Sequence, residues 1–193
     1  MQSISLYDIL SKVIPGSLFF FLAGVYHWTL HEKIPDVLAL FLIYLIGYLI
    51  DSCSTIFERV FLFRLFGGTP STLILEGKSF TNIGIDDFFK VDEYIKTKFA
   101  DSYVNKQVCF RKMYSIVNKT DVPRVKAFLD AYVFSRNILV SYIIAIAFFL
   151  FNYYSYLNLT VAVFIAVLIW YNSKVRAWYF AKEVVDCFIR DNV

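Results

Sequence analysis

Residues 137–173 have the sequence NILVSYIIAIAFFLFNYYSYLNLTVAVFIAVLIWYNS, a run of 37 residues without a charged side chain. As a single helix this run would be about 55 Å long, whereas the hydrocarbon core of a bilayer is about 30 Å thick. The polar and tyrosine-rich segment 152–158 interrupts the run near its middle, and tyrosine favours the boundary between headgroups and water. We therefore predict a transmembrane hairpin of two short spans, with its turn at 152–158.

The composition of the whole chain agrees with a membrane protein. Apolar residues make up 59% and aromatic residues 20% of the sequence, and the mean hydropathy is +0.59. A soluble domain is typically about 45–50% apolar. The three cysteines, Cys53, Cys109 and Cys187, are far apart and form no C-x-x-C pair, so we expect reduced, structural thiols.

A second apolar region precedes the middle of the chain and predicts another hairpin. Residues 4–13 have apolar positions at helical spacing and indicate a short amphipathic helix in the membrane interface. The first span, about 14–30, is expected to begin at Pro15, because a first helical turn has no amide partner to lose. The second span, 37–50, continues past Asp51 to residue 57.

Few polar residues of this first hairpin are candidates for a metal site or another functional site. His27 and His31 are four residues apart, as zinc ligands on a helix often are, but no third ligand is evident and an interfacial role is favoured. Asp51 is an ionisable residue beside an apolar run, and such residues are functional candidates by default. Its position near the end of the span equally allows a purely interfacial role, and the sequence leaves both interpretations open.

The distribution of Lys and Arg predicts the orientation. With four spans, the N terminus, the middle region and the C-terminal tail share one side, and this side carries 18 of the 19 basic residues. Positively charged segments remain on the cytoplasmic side. Both termini and the middle region are therefore predicted to be cytoplasmic.

The middle region, 58–136, is the part large enough to act on a soluble molecule. Apolar spacing predicts helices over 86–99 and 102–117, and a further helix that begins near Pro123 and continues into the third span. A brief extended segment is possible over 72–75.

The resulting fold class is an all-α integral membrane protein with four transmembrane helices in two hairpins. Residues 1–57 form the interfacial helix and first hairpin, 58–136 a small and mostly helical cytoplasmic module, 137–173 the second hairpin, and 174–193 a cytoplasmic C-terminal helix. An apolar stripe along this last helix is suited to packing against the module.

Motifs for catalysis are incomplete in the module. Gly77, Lys78 and Ser79 match the end of a phosphate-binding loop, but Thr72 stands where the motif requires glycine. The sequence thus predicts no enzyme and no catalytic, cofactor or metal site. A basic set could instead form a surface for acidic lipid or a protein partner: Lys106, Arg111, Lys112, Lys119, Arg124 and Lys126. Direct binding of nucleic acid is not expected, because ten acidic residues accompany thirteen basic ones in 51–136.

Several phrases of the sequence carry a resemblance to a known family. They are Tyr7-Asp8-Ile9, the segment IPGSLF at 14–19, FSRN at 134–137 and the Asn/Tyr-rich outer turn. With four short spans, the chain resembles the small membrane subunit of the bacterial Kiwa phage-defence system. The resemblance implies a homotetramer in the bacterial inner membrane that senses infection and holds a soluble, DNA-binding partner on its cytoplasmic face.

Two functions are compatible with these observations. The favoured one is a non-enzymatic sensor and scaffold that docks a cytoplasmic protein and assembles with copies of itself. The alternative is a pore-forming effector that depolarises the cell. The absence of charges along 137–173 argues against an ion-selective pore, which usually carries rings of charge or ordered carbonyls.

Overall fold

The computed structural model describes residues 6–22, 35–65, 67–120 and 122–190, and within them the regular structure is helical apart from one isolated bridge. The helices are α1 (Leu6–Leu22), α2 (Asp36–Phe57), α3 (Pro70–Ile74), α4 (Phe88–Lys98), α5 (Lys106–Lys119), α6 (Pro123–Asn152) and α7 (Tyr156–Arg190). After α2 the chain continues through a π-helical turn (Glu58–Leu62) and a short α-helical turn (Phe63–Leu65), and a 3-10 turn (Ala100–Ser102) precedes α5.

The chain divides into two compact units. Unit 1 consists of Met1–Val60 and Val133–Ser173, and unit 2 of Phe61–Tyr132 and Lys174–Val193. Helices α6 and α7 contribute residues to both. Most of the middle region and the C-terminal helix, predicted as separate parts, thus belong to one unit.

Three helices are long and apolar enough to cross a membrane, namely Asp36–Leu62, Pro123–Phe151 and Tyr156–Arg190. They contain the predicted second, third and fourth spans, and the turn between the last two falls at 153–155 as expected. The apolar part of α1, Ile9–Phe21, is shorter. The remainder of the predicted first span lies outside the described residues, as do His27 and His31.

The predicted start of a helix at Pro15 is wrong. Helix α1 continues through this proline from Leu6 to Leu22, so no boundary separates an interfacial helix from the apolar part. Proline removes a backbone donor from a helix interior, a cost that tertiary packing has to offset. Here the Pro15 carbonyl accepts a hydrogen bond from Ser141 Oγ of α6 at 2.6 Å, and the adjacent Gly16 packs directly on α2.

Two glycines bring α1 and α2 into backbone contact. A methyl group added to Gly47 would lie 1.9 Å from the Lys12 carbonyl oxygen, and one added to Gly16 would lie 2.0 Å from the Ile43 carbonyl oxygen. No side chain can occupy these positions without moving a helix. The crossing is the close approach that small residues allow between membrane helices.

Unit 2 has its own apolar core. Its buried side chains come from the short helix α3, from α4 and α5, and from the C-terminal half of α7, where Trp178, Val184, Val185 and Phe188 are enclosed. The expected packing of the C-terminal helix against the middle region is therefore confirmed.

The predicted extended segment at 72–75 is wrong, whereas the helices of the module are confirmed with shifted ends. Helix α3 forms because the Thr69 hydroxyl caps it, accepting from the Thr72 N–H at 3.3 Å, and Pro70 occupies its first position. Helix α5 begins only at Lys106, because Asn105 caps it and accepts from the Val108 N–H at 3.2 Å.

Candidate functional site

Asp51 lies at the centre of a polar network within unit 1. Its carboxylate forms an ion pair with Lys12 of α1 and accepts hydrogen bonds from two neighbouring residues of α6. The Arg136 Nη2 atom is 3.3 Å and the Asn137 Nδ2 atom 2.9 Å from Asp51 Oδ1. Three helices thus meet at one carboxylate.

Ser54 of α2 and Glu58, which directly follows α2, extend this network. Arg136 also forms an ion pair with Glu58, and the Ser54 hydroxyl donates to Asn137 Oδ1 at 2.6 Å. The side chains of Arg136 and Glu58 are only 9% and 13% exposed. Glu58 begins the π-helical turn, and such turns are frequent at functional sites.

The charges in this network balance. Lys12 and Arg136 supply two positive charges, and Asp51 and Glu58 two negative ones. Buried ion pairs are costly to desolvate, but breaking one strands a charge and is costlier still. Asp51 therefore connects α1, α2 and α6 through ion pairs and hydrogen bonds. We call this network, formed by Lys12, Asp51, Ser54, Glu58, Arg136 and Asn137, the ionic joint. Among the described residues no group of acidic, histidine or cysteine side chains could hold a metal ion.

The predicted basic surface is partly engaged within unit 2. Lys106 Nζ is 3.1 Å from Asp92 Oδ1 and 3.5 Å from the centre of the Tyr103 ring. Burial alone would lower the pKa of Lys106, but the hydrogen bonds to Tyr103 and Asp92 together with the negative charge of Asp92 raise it above the ordinary value. Lys112 donates a hydrogen bond to Ser102.

Arg124 is engaged as well, through an ion pair of 3.0 Å between its Nε atom and Glu183 Oε1. The other three members of the basic set, Arg111, Lys119 and Lys126, are exposed. Three of the six side chains thus bond other residues of unit 2, and the other three are exposed.

Unit 2 also contains a cleft that the sequence does not predict. It has a volume of about 420 Å³ and lies between the start of α6, the C-terminal part of α7 and a tight turn after α3. Its lining residues are Thr81, Asn82, Ile83, Arg124, Phe128, Tyr179, Lys182, Glu183 and Asp186. Since they come from three separate segments, no local motif could have indicated the cleft.

The tight turn at the edge of the cleft is strained. The N–H and C=O groups of Phe80 and Ile83 bond each other at 3.2 and 2.8 Å, and the two residues between them have positive φ, 49° at Thr81 and 63° at Asn82. Turns of this kind prefer Asn-Gly, and a β-branched residue in this conformation is unusual. Asn82 is the residue in the sequence that favours such a turn, because asparagine tolerates positive φ.

The fold and these sites define an all-helical protein with three helices long and apolar enough to cross a membrane, an ionic joint in unit 1 and a polar cleft in unit 2. None of the protein-family models, curated protein sequences or solved structures with which the chain was compared matches it. The site geometry is thus the basis for a functional assignment.

Proposed function

We propose that this chain is a non-enzymatic sensor and scaffold in the bacterial inner membrane, within an anti-phage defence complex. It crosses the membrane four times, keeps both termini in the cytoplasm and docks a soluble, DNA-binding effector through unit 2. The observation that carries this proposal is the division of the chain into a unit with exposed apolar helices and a unit with a packed core of its own. Such a division suits a membrane anchor that presents a binding module.

The apolar surface of unit 1 supports membrane insertion and self-association. In the most apolar parts of the helical segments Asp36–Leu62 and Tyr156–Arg190, only 17% and 11% of residues are buried. Lipid tails or copies of the same chain can cover this surface, and short spans gain contact area by assembling. The scaffold is therefore a homo-oligomer, with a tetramer as the expected form.

The polar network favours a scaffold over a pore. A conducting path needs charges or carbonyls that face the ion, whereas Lys12, Asp51, Glu58 and Arg136 are matched with one another inside unit 1. Paired charges instead hold helices in a defined arrangement, which a sensor of membrane stress requires.

Docking is expected to depend on exposed apolar side chains of unit 2. Phe89 and Val104 are 88% and 95% exposed, and exposed apolar side chains are the usual anchors of protein interfaces. The double variant Phe89→Ser/Val104→Ser should lower recovery of the soluble effector with the purified membrane protein about tenfold or more. Quantitative mass spectrometry of complexes purified from native membranes measures this loss.

A matched control for this experiment is the double variant Lys90→Ser/Glu93→Ser, which changes two exposed polar residues of α4 and should recover the effector normally. The same preparations in liposomes should pass little current. Equal recovery of the effector with both double variants would contradict docking through unit 2, and robust conductance would favour the pore.

The proposed topology is tested by thiol labelling at engineered positions. Cys109 and Cys187 are fully buried, and burial raises the pKa of the Cys109 thiol, so neither can report the side of the membrane. In a Cys53→Ala background, the Tyr154→Cys variant should react with an impermeant maleimide in intact spheroplasts. The Asn118→Cys variant should react only after lysis, and the opposite pattern would reverse the orientation.

A further inference from the structure

The cleft of unit 2 combines charged and aromatic walls. Phe128 of α6 and Tyr179 of α7 stack with ring centres 6.0 Å apart and an angle of 21° between the rings. Around them lie the side chains of Arg124, Lys182, Glu183 and Asp186. Its volume of about 420 Å³ falls within the range of roughly 300–1,000 Å³ that is usual for ligand sites.

The cleft already holds one guanidinium group, that of Arg124. Its Nε atom is 3.0 Å from Glu183 Oε1, and its central carbon is 5.9 Å from the centre of the Phe128 ring. A carboxylate and an aromatic face together are the favoured surroundings for arginine. The position of Arg124 thus shows that the walls of the cleft can accommodate a guanidinium group.

A second carboxylate in the cleft has no such partner. Asp186 lies three residues after Glu183 on α7 and is half-buried, yet it forms neither a hydrogen bond nor an ion pair with the residues that the structure describes. The two cations of the cleft are each paired elsewhere, Arg124 with Glu183 and Lys182 with Asp86 at 3.4 Å. Both cations also act on the Asp186 carboxylate at longer range, but together they face three carboxylates, those of Glu183, Asp186 and Asp86, so the group carries one excess negative charge.

We propose that the cleft binds the guanidinium group of an arginine, which pairs with Asp186 and stacks on the exposed face of Tyr179. A planar guanidinium is favoured over an ammonium group because it can bond a carboxylate through two N–H groups and stack on a ring at the same time. The arginine belongs either to a polypeptide or to a free small molecule. The inference does not depend on the scaffold function, since it follows from the cleft alone.

The test measures binding of N-acetyl-arginine amide to the purified full chain in detergent by isothermal titration, with the neutral citrulline amide and the lysine amide as comparisons. Binding of the arginine amide should be at least about tenfold tighter than that of the citrulline amide, because only the arginine compound offers a charge-assisted hydrogen bond. The lysine amide should bind less tightly than the arginine amide.

Substitutions in the cleft show where the guanidinium group of the arginine amide binds. Asp186→Asn should weaken binding of the arginine amide about tenfold or more, whereas the matched variant Asp87→Asn, at an exposed carboxylate outside the cleft, should leave it unchanged. Tyr179→Leu should reduce the preference for arginine over lysine, which gives a second measurement if Asp186→Asn does not fold. Gel filtration and thermal unfolding confirm the fold of each variant.

A further binding measurement with a peptide distinguishes an arginine of a polypeptide from a free small molecule. Tighter binding of the acetylated tripeptide Gly-Arg-Gly amide than of the arginine amide assigns a polypeptide, and equal or weaker binding assigns a small molecule. Equal affinity for the arginine and citrulline amides, or unchanged affinity in folded Asp186→Asn and Tyr179→Leu proteins, would overturn the proposal.

Discussion

Replacing Gly47 with alanine is expected to separate α1 from α2 and to destabilise unit 1 strongly. The added methyl group would lie 1.9 Å from the Lys12 carbonyl oxygen, and a backbone atom cannot move aside as a flexible side chain could. Overpacking typically costs about 1–3 kcal/mol, and a clash with backbone belongs at the upper end of this range. Thermal unfolding in detergent should show a lower Tm, by about 6–12 °C.

A suitable control adds a methyl group to the exposed face of the same helix. Ser52 is exposed on α2, so Ser52→Thr should leave the Tm nearly unchanged. The Gly47→Ala variant should also lose cross-linking between cysteines introduced on α1 and α2. An unchanged Tm for Gly47→Ala would mean that the two helices do not pack through their backbones.

The second large effect is expected from Arg136→Met. This variant keeps the apolar length of the side chain but removes one buried cation that pairs with both Glu58 and Asp51. Removal of one partner from a buried ion pair costs about 3–5 kcal/mol. Denaturation in detergent or the yield of folded protein measures the loss.

A double variant shows whether the loss of charge balance causes the lower stability of Arg136→Met. Arg136→Met/Glu58→Gln removes both members of the pair and should recover about half of the lost stability or more, since the positive and the negative charge are then removed together. Lys90→Met, which breaks an ion pair whose side chains are 83% and 75% exposed, should have almost no effect. No recovery in the double variant would refute the electrostatic explanation.

Structure that depends on local properties of the chain could be predicted from the sequence. The uncharged run 137–173 and the spacing over 86–99 are properties of neighbouring residues, and helices form in both places. Asp51 stands out in the sequence as an ionisable residue beside an apolar run, but its partners do not, because they lie 39, 85 and 86 residues away in the chain. The continuity of α1 through Pro15 likewise depends on contacts with other helices, which no local pattern contains.

The basic set shows the same limit. Lys106, Lys112 and Arg124 look like surface cations in the sequence, yet each bonds a residue of unit 2 that lies at least ten positions away. The cleft was missed for a related reason, since its walls come together only when α6, α7 and the turn at 80–83 are assembled.

The ionic joint also imposes an order on the synthesis of the protein. Lys12 and Asp51 are 39 residues apart, so their pair and the glycine contact between α1 and α2 become available early. Arg136 follows Glu58 by 78 residues and Asp51 by 85, which at about 5–20 residues per second is a delay of roughly 4–17 s at the ribosome. During this interval the ion pairs of Arg136 with Glu58 and Asp51 are not yet formed, whereas the Lys12–Asp51 pair and the glycine contact between α1 and α2 are already available.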